Sequence, residues 1–413
     1  MINNSIVNNF ENGVDTMINT DATEEIVMNT EVTTNTNDVP QPFPAPLAQP
    51  ATPDAPASDP PAQTSTTTPT QASTTTAPSS YRARSGEDYF NDGSFDQDCA
   101  EYKLSYKSKT GFDNIDGVSG FGVGLYAIGA GSSMGKTTFC MQLADQQAAM
   151  GKHVMYFAQG QPRHELYAKS LTRGFFLEHE ADKAINGHSN LPCYSNDDVR
   201  ENNMDSNDKA HMIDEYLKSV GDRVHISEGY FGRTIEDICN EIQKFMEETG
   251  EKPVVILDYL QALKASTVNG RVLDGKANID HIVMTLKTFQ MRNRLTVILI
   301  SSLKMNSYML PIGHESFKES ESIEYMADVV WGLQLHILSL EGFYRKIDVN
   351  TGKKGKETNI KEKKESLKKA KAALPRRMEL VCLKNTYEKI GYSVGFNYYP
   401  NYETFIPIKK INK

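Results

Sequence analysis

Once residue 125 is reached, apolar positions in this 413-residue chain fall into two repeating patterns. Short apolar runs occupy residues 125–128, 153–158, 223–227, 254–257 and 295–300, and their length and flanks predict buried strands. Between them lie longer segments with apolar residues at helical spacing. Residues 137–150 carry Phe139, Leu143 and Ala144 and stop at Gly151; 234–249 carry Ile238, Ile242 and Phe245; 278–294 carry Ile279, Ile282, Val283, Leu286 and Phe289. Strands separated by helices predict an α/β fold with a mainly parallel, doubly wound sheet flanked by helices. Near the C-terminus Tyr392, Phe396, Tyr398, Tyr399 and Tyr402 nearly alternate, which favours packing in a sheet over stacking on bases. Two polar stretches interrupt the pattern and read as insertions, one from about 178 to 210 and a basic one at 345–377.

The first 80 residues break with this picture. They hold nine Asp or Glu, no Lys or Arg, and 11 of the 18 prolines. Such a stretch buries too little apolar surface to offset its chain entropy, so it is expected to be a disordered acidic, Pro/Thr-rich tail. Residues 81–108 follow as a linker, and 109–413 as one folded domain. The formal charge of −9 is matched by the nine acids of the tail, which leaves the folded part near neutral and says nothing against nucleic acid as a partner. Five scattered cysteines without a CxxC pair indicate neither a disulfide framework nor a zinc site. No apolar run approaches the roughly 18 residues that cross a bilayer, and no signal-peptide pattern opens the chain. The expectation is a soluble, cytoplasmic protein with no membrane partner.

The chemistry concentrates at GAGSSMGKTT, residues 129–138. Binding a triphosphate requires backbone N–H groups turned to one point, a helix N-terminus aimed at the anion, a Lys for the β and γ oxygens and a hydroxyl for Mg²⁺. Between a predicted strand and a predicted helix, Gly131, Ser132, Ser133, Met134, Gly135, Lys136, Thr137 and Thr138 supply that set, a P-loop for ATP. The strict pattern wants Gly at 130 and finds Ala130. The partner acid should end a buried strand and help hold the metal. Asp258, directly after the apolar run 254–257, fits, so Thr137 and Asp258 are the expected Mg²⁺ ligands.

With these residues in place, the chain resembles the RecA-like motor domain of DnaB-type replicative helicases. The resemblance runs from about residue 109 to 405. It rests on Thr110-Gly111-Phe112, on Ser133-Met134-Gly135-Lys136-Thr137-Thr138, on Pro162-Arg163 and on Asp258-Tyr259-Leu260-Gln261. It continues through Glu319-Ser320-Glu321-Ser322-Ile323-Glu324, Ala327-Asp328, Lys384-Asn385 and the segment from Phe396 to Phe405. It implies a RecA-like P-loop NTPase fold, ATP with Mg²⁺, a hexameric ring of identical chains, single-stranded DNA threaded through its centre, and replication proteins as partners. It also implies catalytic roles for Lys136 and, reaching into a neighbour, Lys384. The helical N-terminal domain usual in such helicases has no counterpart in residues 1–80.

Three departures lie where hydrolysis is performed. Where the family has a general-base Glu two residues before Pro-Arg, this chain has Gly160; where it has SQL, this chain has Ser301-Ser302-Leu303; where it has Lys-x-Arg, this chain has Lys384-Asn385-Thr386. A positioned base is worth roughly 10²–10⁴ in rate and an arginine finger about 10³–10⁵. Glu165 is a candidate replacement for the base, and Arg376 or Arg377 for the finger. DNA-contacting positions by analogy are Lys264, Arg271 and Lys276 after Asp258, and Lys304 after Ser302. The basic stretch 345–377, with 13 Lys or Arg against four acids, is either a phosphate-binding device or a solvated helical insertion. Two function classes follow: a DNA-translocating, helicase-like motor, or a nucleotide-gated DNA-binding or assembly factor. A recombination-type RecA-like ATPase is disfavoured by DYLQ and ESxSIE.

Overall fold

The computed structural model describes residues 85–106, 108–229, 233–264, 273–317, 320–340 and 353–408. The described residues from Ser94 onward belong to one compact unit, and 85–93 to a second. Helix α1 (Gly86–Asn91) lies in the second unit and is capped by Ser85, whose hydroxyl accepts from the Asp88 N–H. Helix α2 (Ser94–Tyr106) opens the first. The segment read as a linker therefore carries two helices. Their polar sequences show too little amphipathic pattern to announce them.

The main unit follows the expected alternation. After the short α3 (Asp113–Asp116) come β1 (Gly124–Ala130), α4 (Lys136–Ala149), β2 (Val154–Ala158), α5 (Arg163–Asn186), α6 (Asn196–Arg200), α7 (Ser206–Val220) and β3 (Val224–Glu228). Then follow α8 (Ile235–Thr249), β4 (Val254–Asp258), α9 (Gly275–Asn293), β5 (Thr296–Ser302), α10 (Ser320–Met326) and β6 (Val329–Leu335). The unit closes with α11 (Lys353–Ala372), β7 (Arg376–Asn385), β8 (Ser393–Tyr399) and β9 (Thr404–Pro407).

One sheet holds these strands in the order β3-β2-β4-β5-β1-β6-β7-β8-β9. Pairing is parallel from β3 to β6 and antiparallel from β6 to β9. Parallel pairing brings the carboxyl ends of β1, β2, β4 and β5 to one edge, with Ala130 opposite Ser302 and Ala158 opposite Asp258. The P-loop, Asp258, Gly160 and Ser302 emerge there, in line with the tendency of open α/β sheets to bind ligands beyond strand carboxyl ends, whereas Lys384 and Thr386 lie at the other edge, beside the start of β6.

Successive strand residues feed two cores. Tyr126, Ile128, Tyr156, Ile256, Ile298 and Trp331 join Phe139, Leu143 and Ala144 of α4 on one face. Leu125, Ala127, Phe157, Val255, Leu257 and Val297 join Ile238 and Ile242 of α8 and Ile282 and Leu286 of α9 on the other. Burial on both faces explains why these strands read as continuous apolar runs.

Three sequence expectations need correction. The polar stretch 178–210 is not a free insertion, because α5 continues to Asn186 and α7 starts at Ser206, each burying one stripe; Phe175, Val199 and Met212 form a small core between them. The basic stretch ends inside the sheet, since β7 begins at Arg376. Strand β6 lies outside the expected apolar runs because Gly332 and Gln334 break its apolar character. The aromatic positions near the C-terminus pack as expected: Phe396 and Tyr398 are buried, and Tyr399 and Tyr402 lie against Phe176.

Candidate nucleotide site

The loop between β1 and α4 is shaped by two left-handed residues, Ser133 (φ 57°) and Gly135 (φ 84°). Gly135 is also constrained by space, because a Cβ there would lie 2.8 Å from Phe405 Cζ. Helix α4 starts at the next residue, Lys136, so its unpaired first-turn N–H groups and the positive end of its dipole meet the loop. Lys136 Nζ donates to the carbonyls of Ala130 and Gly131, both at 3.1 Å, and so bridges its own loop. Burial lowers its pKa, against the pull of Asp258.

Thr137 and Asp258, 121 positions apart, meet at this edge: the Thr137 hydroxyl donates to the Asp258 carboxylate at 2.7 Å. Tyr156 of β2 donates to the same oxygen at 2.8 Å. Burial raises the Asp258 pKa, opposed by both hydroxyls and by Lys136 and Lys169. The Tyr156 phenol is held well above its ordinary range by burial and by that neighbouring charge. Two hard oxygen donors side by side suit Mg²⁺, which keeps several waters and shares substrate phosphates. Among the described residues no group of three or more His, Cys, Asp or Glu could hold a metal unaided. The donor set therefore fits a metal that arrives with a nucleotide.

A cavity of about 350 Å³ opens over the loop. One wall is Ser133 to Thr138; the other is Lys169 of α5 with Arg376, Tyr398, Pro400 and Glu403 of the C-terminal strands. An aromatic cluster fastens the two walls: Phe139 stacks on Phe112 at 4.8 Å and meets Phe396 and Phe405 edge-on. Such pairs add about 0.5–1.5 kcal/mol each beyond buried area. Arg376 lies over the Tyr398 ring at 5.4 Å and donates to the Ser133 carbonyl at 3.1 Å. Burial pushes the Tyr398 phenol up to about 12. Glu403, at φ 48°, accepts from the Thr138 hydroxyl and pairs with Lys169 at 2.7 Å, and its carbonyl accepts from Arg173 at 2.9 Å.

The sequence did not mark Lys169, Tyr398 or Glu403 as site residues. Lys169 lies inside α5, and Glu403 sits in a turn, distant in sequence from Thr138, Lys169 and Arg173, which it touches; no local pattern identifies either. Arg376 was expected to reach a neighbouring chain and instead touches its own loop, because β7 runs back beside β6 and its first residue emerges over the P-loop. Arg377 turns to Asn397 at 3.1 Å. Glu165 stands in the first turn of α5, outside the cavity lining.

The residues expected to drive hydrolysis are not gathered with the binding set. At Gly160 an added Cβ would meet only Tyr259 Cε1, at 3.7 Å, so the position has room for a side chain that the chain lacks. The Ser302 N–H donates to Gln261 Oε1 at 3.1 Å, and Gln261 Nε2 donates to Ser301, which ties the end of β5 to the segment after Asp258. Lys384 donates to the carbonyls of Glu324 (2.6 Å) and Tyr325 (3.3 Å) at the end of α10. Burial lowers its pKa, although Asp328 and Glu324 pull the other way. Thr386 donates to the Asp328 carbonyl at 3.0 Å. Of the DNA-contacting candidates, Lys264 is exposed beside a bridge to Thr234, Lys276 pairs with Glu321, and Lys304 precedes a turn of 3₁₀ helix. Arg271 lies outside the described residues.

The family model of the DnaB-like helicase C terminal domain matches residues 108–365. A probable replicative DNA helicase of Trieres chinensis is 26% identical over 248 residues, which are 55% of this chain and 49% of that protein. The chain thus spans about half the length of that curated relative. Among solved structures, the ATPase domain of G40P aligns with TM-score 0.56 at 15% identity, over 79% of this chain and 100% of that one. A DnaB-like replicative helicase studied for its interactions with primase aligns with TM-score 0.54 at 16% identity, over 73% of this chain and 63% of that one. These likenesses show a RecA-like fold. No helix among the described residues is long and apolar enough to cross a membrane.

Proposed function

The chain belongs to the DnaB-like helicase C-terminal domain family, and on that premise we propose that it is an ATP-binding, ring-forming, helicase-like motor acting on single-stranded DNA in replication. The observation that carries the reading is the Thr137–Asp258 pair beside Lys136, at the mouth of a loop whose helix begins there. In this reading Lys136 exchanges its two loop carbonyls for phosphate oxygens, and the first-turn N–H groups of α4 hold the same anion. Thr137 and ionised Asp258 hold Mg²⁺, which when bound neutralises charge developing on the phosphates. Tyr156 orients the carboxylate. Arg376 and Tyr398 offer a planar cation and a ring face to a base. Lys384 acts on a neighbouring subunit's site, and Lys264, Arg271, Lys276 and Lys304 face the DNA. Other replication proteins are its partners, in the cytoplasm.

A second reading is favoured by Gly160, Ser302 and Thr386: a nucleotide-gated DNA-binding or assembly factor that binds ATP and barely hydrolyses it. Steady-state ATPase with and without single-stranded DNA, beside Lys136→Ala, separates the two. The motor requires DNA-stimulated turnover that Lys136→Ala abolishes. Tight ATP binding with no turnover under any DNA condition would overturn the motor and leave the second reading.

A further inference from the structure

Helix α11 is built with two unlike faces. Leu367 and Ala370 pack on the core and Lys363 is buried with them. Lys361, Lys364, Lys368 and Lys371 are exposed, and their spacing of three, four and three residues sets them in one stripe on the helix surface. The stripe spans about 15 Å at the rise of an α-helix. Glu362 and Glu365 are the acids exposed along this stretch of the helix. Among the described residues Lys361, Lys364 and Lys368 make no ion pair. Four exposed cations in a row, three of them without an ion pair among the described residues, form an electrostatic track for a polyanion.

The track ends at the nucleotide loop. Lys371 Nζ lies 3.5 Å from the Ser132 carbonyl. Arg376 donates through Nε to the Lys371 carbonyl at 2.7 Å and through Nη1 to the Ser133 carbonyl at 3.1 Å. One guanidinium thus joins the last turn of α11 to the P-loop. The matched family segment stops at residue 365, before this junction.

We propose that the lysine stripe of α11 binds the phosphate backbone of single-stranded nucleic acid and that its occupancy weakens nucleotide binding at the adjoining P-loop. Regularly spaced point charges on an exposed helix suit a flexible phosphate backbone and carry no sequence preference. A phosphate that reaches Lys371 draws the ammonium from Ser132 and sets a negative charge beside the nucleotide's own phosphates. The two anions then oppose each other, and by linkage nucleotide weakens the hold on the strand to the same degree. The inference rests on the P-loop reading for its second half only; the track stands or falls on DNA affinity alone.

The test uses the full chain and the variant Lys361→Gln/Lys364→Gln/Lys368→Gln, whose changes lie on the solvent side of α11. Binding of a fluorescent oligo-dT is followed by anisotropy across a salt series, and binding of a fluorescent ADP analogue is followed with and without oligo-dT. In the wild type oligo-dT is expected to weaken nucleotide binding about fivefold, in the usual range of coupling between sites. The variant is expected to bind nucleotide as the wild type does when DNA is absent, which also reports its folding. It should bind oligo-dT roughly tenfold more weakly at low salt, with a salt slope shallower by about 2 for three lost phosphate contacts, and oligo-dT should no longer affect its nucleotide affinity. Equal DNA affinity and slope in the two proteins would overturn the track. Weaker DNA binding with an unchanged nucleotide response would overturn the coupling, as would a DNA effect that strengthens nucleotide binding. A poly-glutamate peptide that displaces oligo-dT at equal charge concentration would overturn nucleic acid as the occupant. Absence of nucleotide binding in the wild type would refute the P-loop reading and with it the coupling, while the DNA titrations still decide the track.

Discussion

Two regions of the sheet differ in how fully they are equipped. Around β1 and β4, Lys136, Thr137 and Asp258 converge, each with partners at 2.7–3.1 Å. At the ends of β2 and β5, and at the opposite edge just past the end of β7, the positions that the resemblance assigns to hydrolysis hold Gly160, Ser302 and Thr386. The first region depends on one chain and is complete within it. The second, on the proposed reading, depends on a base, a sensor and a neighbour's cation. The contrast separates two demands that a P-loop usually conceals: holding a triphosphate needs preorganised donors, whereas cleaving it also needs a positioned water and charge supplied across an interface.

The largest expected effect restores a missing part. Gly160→Glu should raise ATP turnover by roughly 10²–10⁴ while leaving nucleotide affinity within about threefold, because a base acts on the reaction and the position has room for a Cβ. No rise would mean that another group already serves as base, and the contrast would blur. Next in size, Lys136→Ala should weaken nucleotide binding by about 10–150-fold, the loss of a charged hydrogen-bond donor, measured by equilibrium titration.

Asp258 gives a signed pH test. Its folded pKa is raised by burial, so its contribution to stability is present below the unfolded pKa and lost as pH rises through the folded value. Asp258→Asn should therefore melt at a higher temperature than the wild type at pH 7, with the gap closing in acid. The same variant should bind Mg²⁺-nucleotide less well at pH 7, since a carboxylate must ionise to take the metal. Smaller again, Arg376→Ala should cost about threefold to thirtyfold in nucleotide affinity, the range for a cation over an aromatic ring. Smallest of all, Lys384→Ala should leave nucleotide binding by the isolated chain unchanged and lower stability by about 0.3–1 kcal/mol, because its ammonium caps the carbonyl end of α10. A loss of binding there would place Lys384 in its own chain's site.

How much of this could be read from the chain depends on whether the signal was local. The apolar runs of β1, β2, β4 and β5 are buried on both faces, so their pattern and their order with the helices predicted the parallel half of the sheet. The P-loop is contiguous, and Asp258 was found because it ends the clearest apolar run. Strand β6 escaped because Gly332 and Gln334 interrupt its apolar character, yet both are enclosed, Gln334 by bonds to Ser339 and the Ile312 N–H. The far wall of the cavity was illegible for a different reason. Tyr398 and Glu403 meet Thr138, and Lys169 meets Glu403, only because the strand order folds the C-terminal hairpin back across α4. The direction of Arg376 depends in turn on where β7 starts, and sequence predicts boundaries less well than elements.

The central claim, that the chain is equipped to bind ATP unaided and does not cleave it without DNA, is tested most directly by mixing excess wild-type protein with Mg-ATP without DNA and following bound nucleotide and released phosphate in the same sample. The account predicts that ATP is bound and remains uncleaved through many dissociation times. Phosphate appearing as fast as nucleotide binds would contradict it.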